Sequence, residues 1–313
     1  MFHHFHGHGH AAGDGAINGE EFAAIIDYVG RDRLLGAREW REKYLRGTLQ
    51  ADEFCITFDD NLRCQYDIAL PVLNALGLTA MWFICSLPLE GKPLRLEVYR
   101  HYRTVCFPTT QAFYDYYFDE LSRSEFADIY MEGIEGFDPD TYLDIYTFYS
   151  RSDRLFRYVR DRVLGQERYY AFMDTLIAAS DLNVHSLLGH LWMDADAVKM
   201  LSDDGHVIGL HSHNHPTALA NLSIDDQRRE YEENKSVLEQ ACDAPITVAS
   251  HPNNSYSVET LGILKDLGVT LAFCSNMTIG PAAGPLQVPR ADHTNILNMM
   301  KAGDAYAIQD SGN

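Results

Sequence analysis

An α/β fold built on a parallel sheet, either closed as a (β/α) barrel or opened as a doubly wound layer, is what this sequence predicts. Three observations carry that expectation. Apolar runs of strand length alternate with segments of helical periodicity. The links between them are short, which favours strand–helix–strand units with parallel neighbours. The two segments richest in reactive side chains, Thr57-Phe58-Asp59-Asp60 and His211-Ser212-His213-Asn214-His215, each follow an apolar run directly. In such folds chemistry gathers at the carboxyl ends of strands.

Residues 54–58 (FCITF) form a short apolar run of buried-strand type, ended by two aspartates. Residues 66–76 then show helical spacing at Ile68, Leu70, Val72, Leu73 and Leu76, with Gly77 as the stop. Residues 79–85 (TAMWFIC) read as the next buried strand. The pattern resumes with a helix over 194–201, a strand over 206–210 and a helix from Ser223 through Glu239. Ser223 and Asp226 give that last helix a start resembling a capping box. A strand over 246–249, a helix over 257–267 and a strand over 269–274 complete the series.

Between residues 87 and 193 the alternation breaks. Aromatic and charged residues crowd this stretch, as in 113–118 (FYDYYF) and 142–146 (YLDIY), and the periodicity is helical. The expectation is a single catalytic domain over 1–313 with a helical insertion at 87–193. The aromatic residues of that insertion either pack its core or stack on sugar rings.

Composition excludes several classes. A net charge of −20 opposes general binding to nucleic acid or anionic membranes, which needs basic surface. No run approaches the ~18 apolar residues of a membrane span. The first residues lack the basic and apolar regions of an export signal, so a cytoplasmic location is expected. The six cysteines form no CxxC pair and read as reduced structural thiols. No GxSxG elbow supports a serine hydrolase, and no glycine-rich fingerprint follows the first strand as a dinucleotide fold requires. His3, His4, His6, His8 and His10 have metal-binding composition; a disordered tail and a role in the site are both open.

Two adjacent aspartates on a strand point to opposite faces, but at a strand-to-loop corner that constraint relaxes. One carboxylate can then hold a metal while its neighbour faces water. His211 and His215, four apart, share a face if they lie on a helical turn, and HxxxH is a common ligand spacing. Leu210 before them and Pro216 after them suggest a fixed corner.

Thr57-Phe58-Asp59-Asp60, with Ala69-Leu70-Pro71-Val72-Leu73 and Gly77-Leu78-Thr79-Ala80 after it, resembles the first motif of the polysaccharide deacetylases, the NodB-homology family of carbohydrate esterases. His211-Ser212 through His215 is similar to that family's HSxxH motif, and residues 250–256 (SHPNNSY) sit where its third motif belongs. The resemblance covers roughly 50–86 and 194–295. It implies a distorted, incomplete (β/α) barrel and metal-assisted removal of an N-acetyl group from an amino sugar. In the implied roles Asp59 is the catalytic base, and Asp60, His211 and His215 hold one divalent ion. Zinc suits that donor set, with other transition metals as alternatives. Ser250-His251 stands where the family carries an arginine, so Arg290 is expected to supply the charge that orients Asp59. The family's C-terminal leucine–histidine motif is not recognisable. His293, beside Asp292, is the expected general acid, with His251 and the N-terminal histidines as alternatives. The expected partner is an acetylated amino sugar: nucleotide-linked, lipid-linked or a surface-polysaccharide precursor. Rival readings keep the site for another amide, an N-formyl sugar or a cyclic ureide, or make the chain a catalytically silent carbohydrate-binding module.

Overall fold

The structure, a computed structural model, describes residues 1–144, 149–275 and 283–303. It divides into two compact units, Met1–Leu94 with Ser186–Asn313, and Arg95–His185.

In the first unit, five parallel strands form a curled half-barrel with helices around it. They are β1 (Thr57–Phe58), β2 (Met81–Ile84), β3 (Val207–Leu210), β4 (Val248–Ser250) and β5 (Leu271–Phe273), hydrogen-bonded in that order. Each is shorter than its apolar run, because the ends of the runs leave the ladder. The fold class expected from the alternating pattern is thus observed, as a barrel and not as a doubly wound sheet.

Side chains of a strand alternate between faces, and that parity organises this unit. Met81, Phe83, Val207, Val248, Leu271, Phe273 and Val288 pack together inside the curl with Trp40 of the helix Ala37–Arg46. The interior is tight at Gly209, where an added Cβ would lie 2.5 Å from the Phe83 ring and 2.9 Å from Val248. The other face, with Trp82, Ile84 and Leu210, is equally buried beneath the helices. A strand pattern apolar on both faces is what a helix-covered parallel sheet requires.

Helix boundaries follow local chemistry. The segment after β1 begins as a wide turn, Gln65–Ala69, and continues as the α-helix Leu70–Leu76, ended by Gly77 at φ 66°. Asp194, Ser223 and Ser257 cap the helices Ala195–Asp203, Ile224–Cys242 and Val258–Asp266 through their side-chain oxygens.

The histidine-rich start is not a disordered tail. Phe2 pairs in parallel with Phe58, and its ring packs edge-on against Phe22 at 4.8 Å. Val288 pairs in parallel with Phe273 at the opposite edge. These two added edges meet: Met1 N donates to Ala291 O at 2.8 Å, and His293 N donates to Met1 O at 3.2 Å. The phenylalanines carry the order: Phe2 and Phe5 are buried, whereas the histidines between and after them are partly or fully exposed as residues.

The second unit is helical, including Arg95–Cys106, Thr110–Leu121, Ala127–Gly133, Arg151–Tyr158 and Gly165–Ala178. Its aromatic residues pack its own core: Tyr117 is enclosed by Phe118, Phe156 and Phe172 with centroids 5.0–5.3 Å away. Tyr99 and Tyr114 donate to Asp174 and Asp153, each at 2.6 Å. Of the 142–146 segment, Ile145 and Tyr146 lie outside the described residues. Among the described residues, no helix is long and apolar enough to cross a membrane.

Candidate active site

Asp59 and Asp60 stand at the carboxyl end of β1, where the chain turns sharply. Asp60 takes φ 82° and Asn61 φ 61°, a left-handed corner that is costly for residues with a Cβ. The corner lets both carboxylates serve one site. Asp59 continues the inward face of β1 and is 3 % exposed.

Arg290 meets Asp59 with a two-pronged contact. Its Nη1 and Nη2 donate to Asp59 Oδ1 and Oδ2, both at 2.7 Å. The remaining donors are also used, by Cys274 O at 3.1 Å, Thr57 Oγ1 at 3.2 Å and Ser250 Oγ at 2.6 Å. Ser250 in turn donates to Asp59 Oδ2 at 3.1 Å. Burial by itself raises the Asp59 carboxyl, but Arg290, with lesser help from His211 and His3, outweighs it and holds the group well below the ordinary carboxylate range. Asp59 is therefore an anion at neutral pH, fixed in one orientation.

Asp60 faces the imidazole pair. Nε2 of His211 and Nε2 of His215 each lie 3.2 Å from Asp60 Oδ1. That oxygen is buried and accepts no hydrogen bond of regular geometry. Three donor atoms converging on one point without satisfying each other fit a bound cation. Burial pushes Asp60 up and His215 down; their mutual attraction reverses both, leaving Asp60 well below its usual value and His215 above its own. The site thus favours positive charge beside Asp60. His211 Nδ1 donates to Ser250 O at 3.0 Å, which leaves Nε2 as the lone-pair nitrogen facing Asp60.

The pair is not on a helical turn, as the HxxxH spacing suggested. Residues 211–215 form a loop in which Ser212 and His215 are left-handed, with φ 62° and 51°. The helix Ile224–Cys242 fixes that loop. Asn234 accepts from His211 N and donates to Ile84 O, both at 2.9 Å. Glu230 accepts from His213 N at 3.0 Å, Asn214 N at 2.8 Å and Asn214 Nδ2 at 2.7 Å.

The candidates for the acid are placed differently. His293 opens the last helix, His293–Ala302; its Nε2 donates to Gly15 O at 3.0 Å and its ring stacks on Phe2. Its Nδ1 lies 3.6 Å from Asp292, without a hydrogen bond. The structure therefore turns His293 toward the N-terminal segment and gives it no contact with either site aspartate. His251 is turned away too, with Nε2 on Leu286 O at 2.9 Å and its ring stacked on Tyr256. Burial presses its pKa down to about 4. Two imidazoles lie beside Asp59, His3 and His211, each with Nε2 3.9 Å from Oδ2; His3, with its side chain 27 % exposed, is the one open to solvent, and burial lowers its pKa. Gln65 holds it there, donating from Nε2 to His3 O at 2.8 Å and to Asp59 O at 2.6 Å.

Ser250 and Cys85 were missed as site residues. Both continue the inward face by parity, Ser250 two residues after Val248 and Cys85 two after Phe83. Counting in twos along the strands was the available signal.

A curled parallel half-barrel with an aspartate pair at the end of β1 and an imidazole pair at the end of β3 is the class of fold and site that this chain presents. The polysaccharide deacetylase family model matches residues 169–272, a stretch holding His211, His215 and Ser250 but neither aspartate. The fold is similar to that of a Streptococcus pyogenes deacetylase, PplD, solved in complex with acetate (TM-score 0.55, 16% identity, 96% of each chain). It is similar also to IcaB from Ammonifex degensii (TM-score 0.53, 13% identity, 98% of this chain and 95% of that one). A de-N-acetylase from Aggregatibacter actinomycetemcomitans gives 0.54 at 10% identity, covering 95% and 97%. No curated protein matches the sequence. The resemblance read from the sequence is therefore met by a family match over the stretch that holds the histidine motif and by a fold similar to those of solved deacetylases.

Proposed function

We propose that this chain is a metal-dependent hydrolase that removes the N-acetyl group of an amino sugar. The observation that carries the proposal is the division of labour at the β1 corner, with Arg290 on Asp59 and two imidazoles on Asp60. The family match and the fold support carbohydrate deacetylation as the class. A divalent ion held by Asp60, His211 and His215, for which zinc is the fitting choice, would supply Lewis acidity toward the amide carbonyl and toward water.

The residues of the chain do the rest. Asp59, kept ionised by Arg290, takes the proton of the attacking water. Arg290 and Ser250 fix its two oxygens, so that proton transfer needs no reorganisation. His3 donates to the departing amine, replacing His293 in that role, because it is the imidazole within reach of Asp59 and of solvent. The proposal takes 1–313 as one catalytic domain interrupted by the helical unit.

The test is acetate release from N-acetylglucosamine oligosaccharides after chelation and return of zinc. Activity should vanish with the chelator and return with the ion. Asp59→Asn should keep the ion and lose about 10²–10⁴-fold in turnover. Turnover near wild type in that variant overturns the assignment of the base. Formate release from N-formyl sugars without acetate release would move the reaction to the alternative amide.

A further inference from the structure

The interior parity that delivers Asp59, His211 and Ser250 to the site also delivers a thiol. Ile84 pairs with Leu210, so the next residues, Cys85 and His211, emerge side by side from adjacent strands. β2 lies between the strand that carries the aspartates and the strand that carries the histidines. Cys85 is fully buried, and its Sγ makes one weak contact, to His211 O at 3.3 Å. One ligand atom each from Asp60, Cys85, His211 and His215 lies within 4.8 Å of the others.

We propose that Cys85 is a fourth protein ligand, its thiolate joining Asp60, His211 and His215 around the ion, which would take water or the amide oxygen as a fifth ligand. This rests on the metal-site reading above and extends it. Zinc–sulfur and zinc–nitrogen bonds are about 2.3 and 2.0–2.1 Å, so two ligands of one tetrahedral ion stand about 3.3–3.6 Å apart. Closing the set from separations within 4.8 Å therefore asks the widest pair to draw together by at most about 1.5 Å. On binding, the sulfur donates an electron pair and the thiol proton leaves to solvent. A soft thiolate biases the site toward zinc and cobalt and against magnesium and manganese, which an aspartate and two histidines alone do less strongly.

The experiment is a cobalt(II) titration of the metal-free full-length chain. Wild type should develop visible d–d bands together with an intense near-ultraviolet sulfur-to-cobalt band. Cys85→Ser should keep the visible bands and lose the sulfur band, and His211→Ala should lose both. Zinc affinity should fall at least about tenfold in Cys85→Ser, with manganese affinity changed less than about twofold. X-ray absorption of zinc-loaded wild type, which depends on no variant, should show one sulfur among the nearest neighbours. Visible bands without a sulfur band, or a nitrogen and oxygen shell alone, overturn the role of Cys85 and leave the metal site standing. No cobalt bands in wild type overturn the metal site itself, and the proposal with it.

Discussion

Replacing Arg290 by Met removes the cation from a pair that is buried on both sides, Arg290 at 6 % exposure and Asp59 at 3 %. All five N–H donors of Arg290 are engaged, two of them on Asp59. Breaking such a pair from one side costs about 3–5 kcal/mol, chiefly because the remaining carboxylate is left without compensation. That is a large share of the ~5–15 kcal/mol that holds a domain folded. Asp59→Asn removes the stranded charge, so Arg290→Met should cost at least about 2 kcal/mol less in that background. Urea denaturation of the wild type, both single variants and the double variant, all in chelator, measures this without any ion. The pH–rate profile gives a second reading. Without Arg290, burial is opposed only by weaker contacts, Asp59 titrates at higher pH, and the acidic limb should move toward neutrality. Arg290→Lys, which keeps the charge but not the fork, should fall between. Additive costs within about 0.5 kcal/mol, or an acidic limb that does not move, would refute the picture of Arg290 as the partner that keeps Asp59 ionised.

Three further outcomes are expected. Metal analysis of His211→Ala should show the tightly bound ion lost, whereas Glu230→Ala, on the helix that fixes the 211–215 loop, should retain it with about 10–100-fold weaker affinity; equal metal content in wild type and both variants would contradict the ligand set. His3→Ala should lower turnover about 10²–10⁴-fold with the ion retained, while His293→Ala should act mainly on stability; the reverse pattern returns the acid to His293. His206 accepts from Ala80 N at 2.9 Å and Trp82 Nε1 at 3.1 Å, and burial presses its pKa from 6.5 to about 4. The unfolded chain therefore takes up this proton first, and stability is lost as pH falls from about 6.5 toward about 4. At pH 5 the loss from His206 is about 2 kcal/mol relative to pH 7. His206→Gln should shrink the difference between urea midpoints at the two pH values, and an unchanged difference would place the acid sensitivity elsewhere.

The strands and the helices between them were legible because burial on both faces writes continuous apolar runs such as 79–85, and capping serines mark helix starts. The aspartate pair and the histidine pair were visible because each sits directly on such a run. What stayed hidden depends on pairing between distant segments. Phe2 joins the barrel through a two-residue contact, too short to leave a period. His3 reaches Asp59 through Gln65, whose amide ties two backbones that sequence spacing cannot relate. The shape of the 211–215 loop is imposed by Glu230 and Asn234, which look from the sequence like ordinary polar positions of an amphipathic helix. Cys85 and Ser250 are small residues inside apolar runs, and only the in–out parity of a strand distinguishes them from packing.

The seam at which residues 1–3 lie between the β1 edge and residues 291–293 also bears on how the molecule is made. Its contacts join positions almost the full chain length apart, the kind of closure whose entropic cost delays it in folding. Every local unit, from β1 with its following helix to the capped helices around β4, can assemble before that closure. Asp60, His211 and His215, the proposed ion ligands, belong to those earlier units, whereas the imidazole of His3 arrives with the seam. On the proposed reading, a folding chain can therefore pass through a stage that holds the proposed ligands in place but lacks the proposed proton donor, and hydrolytic competence would be a late reporter of complete closure.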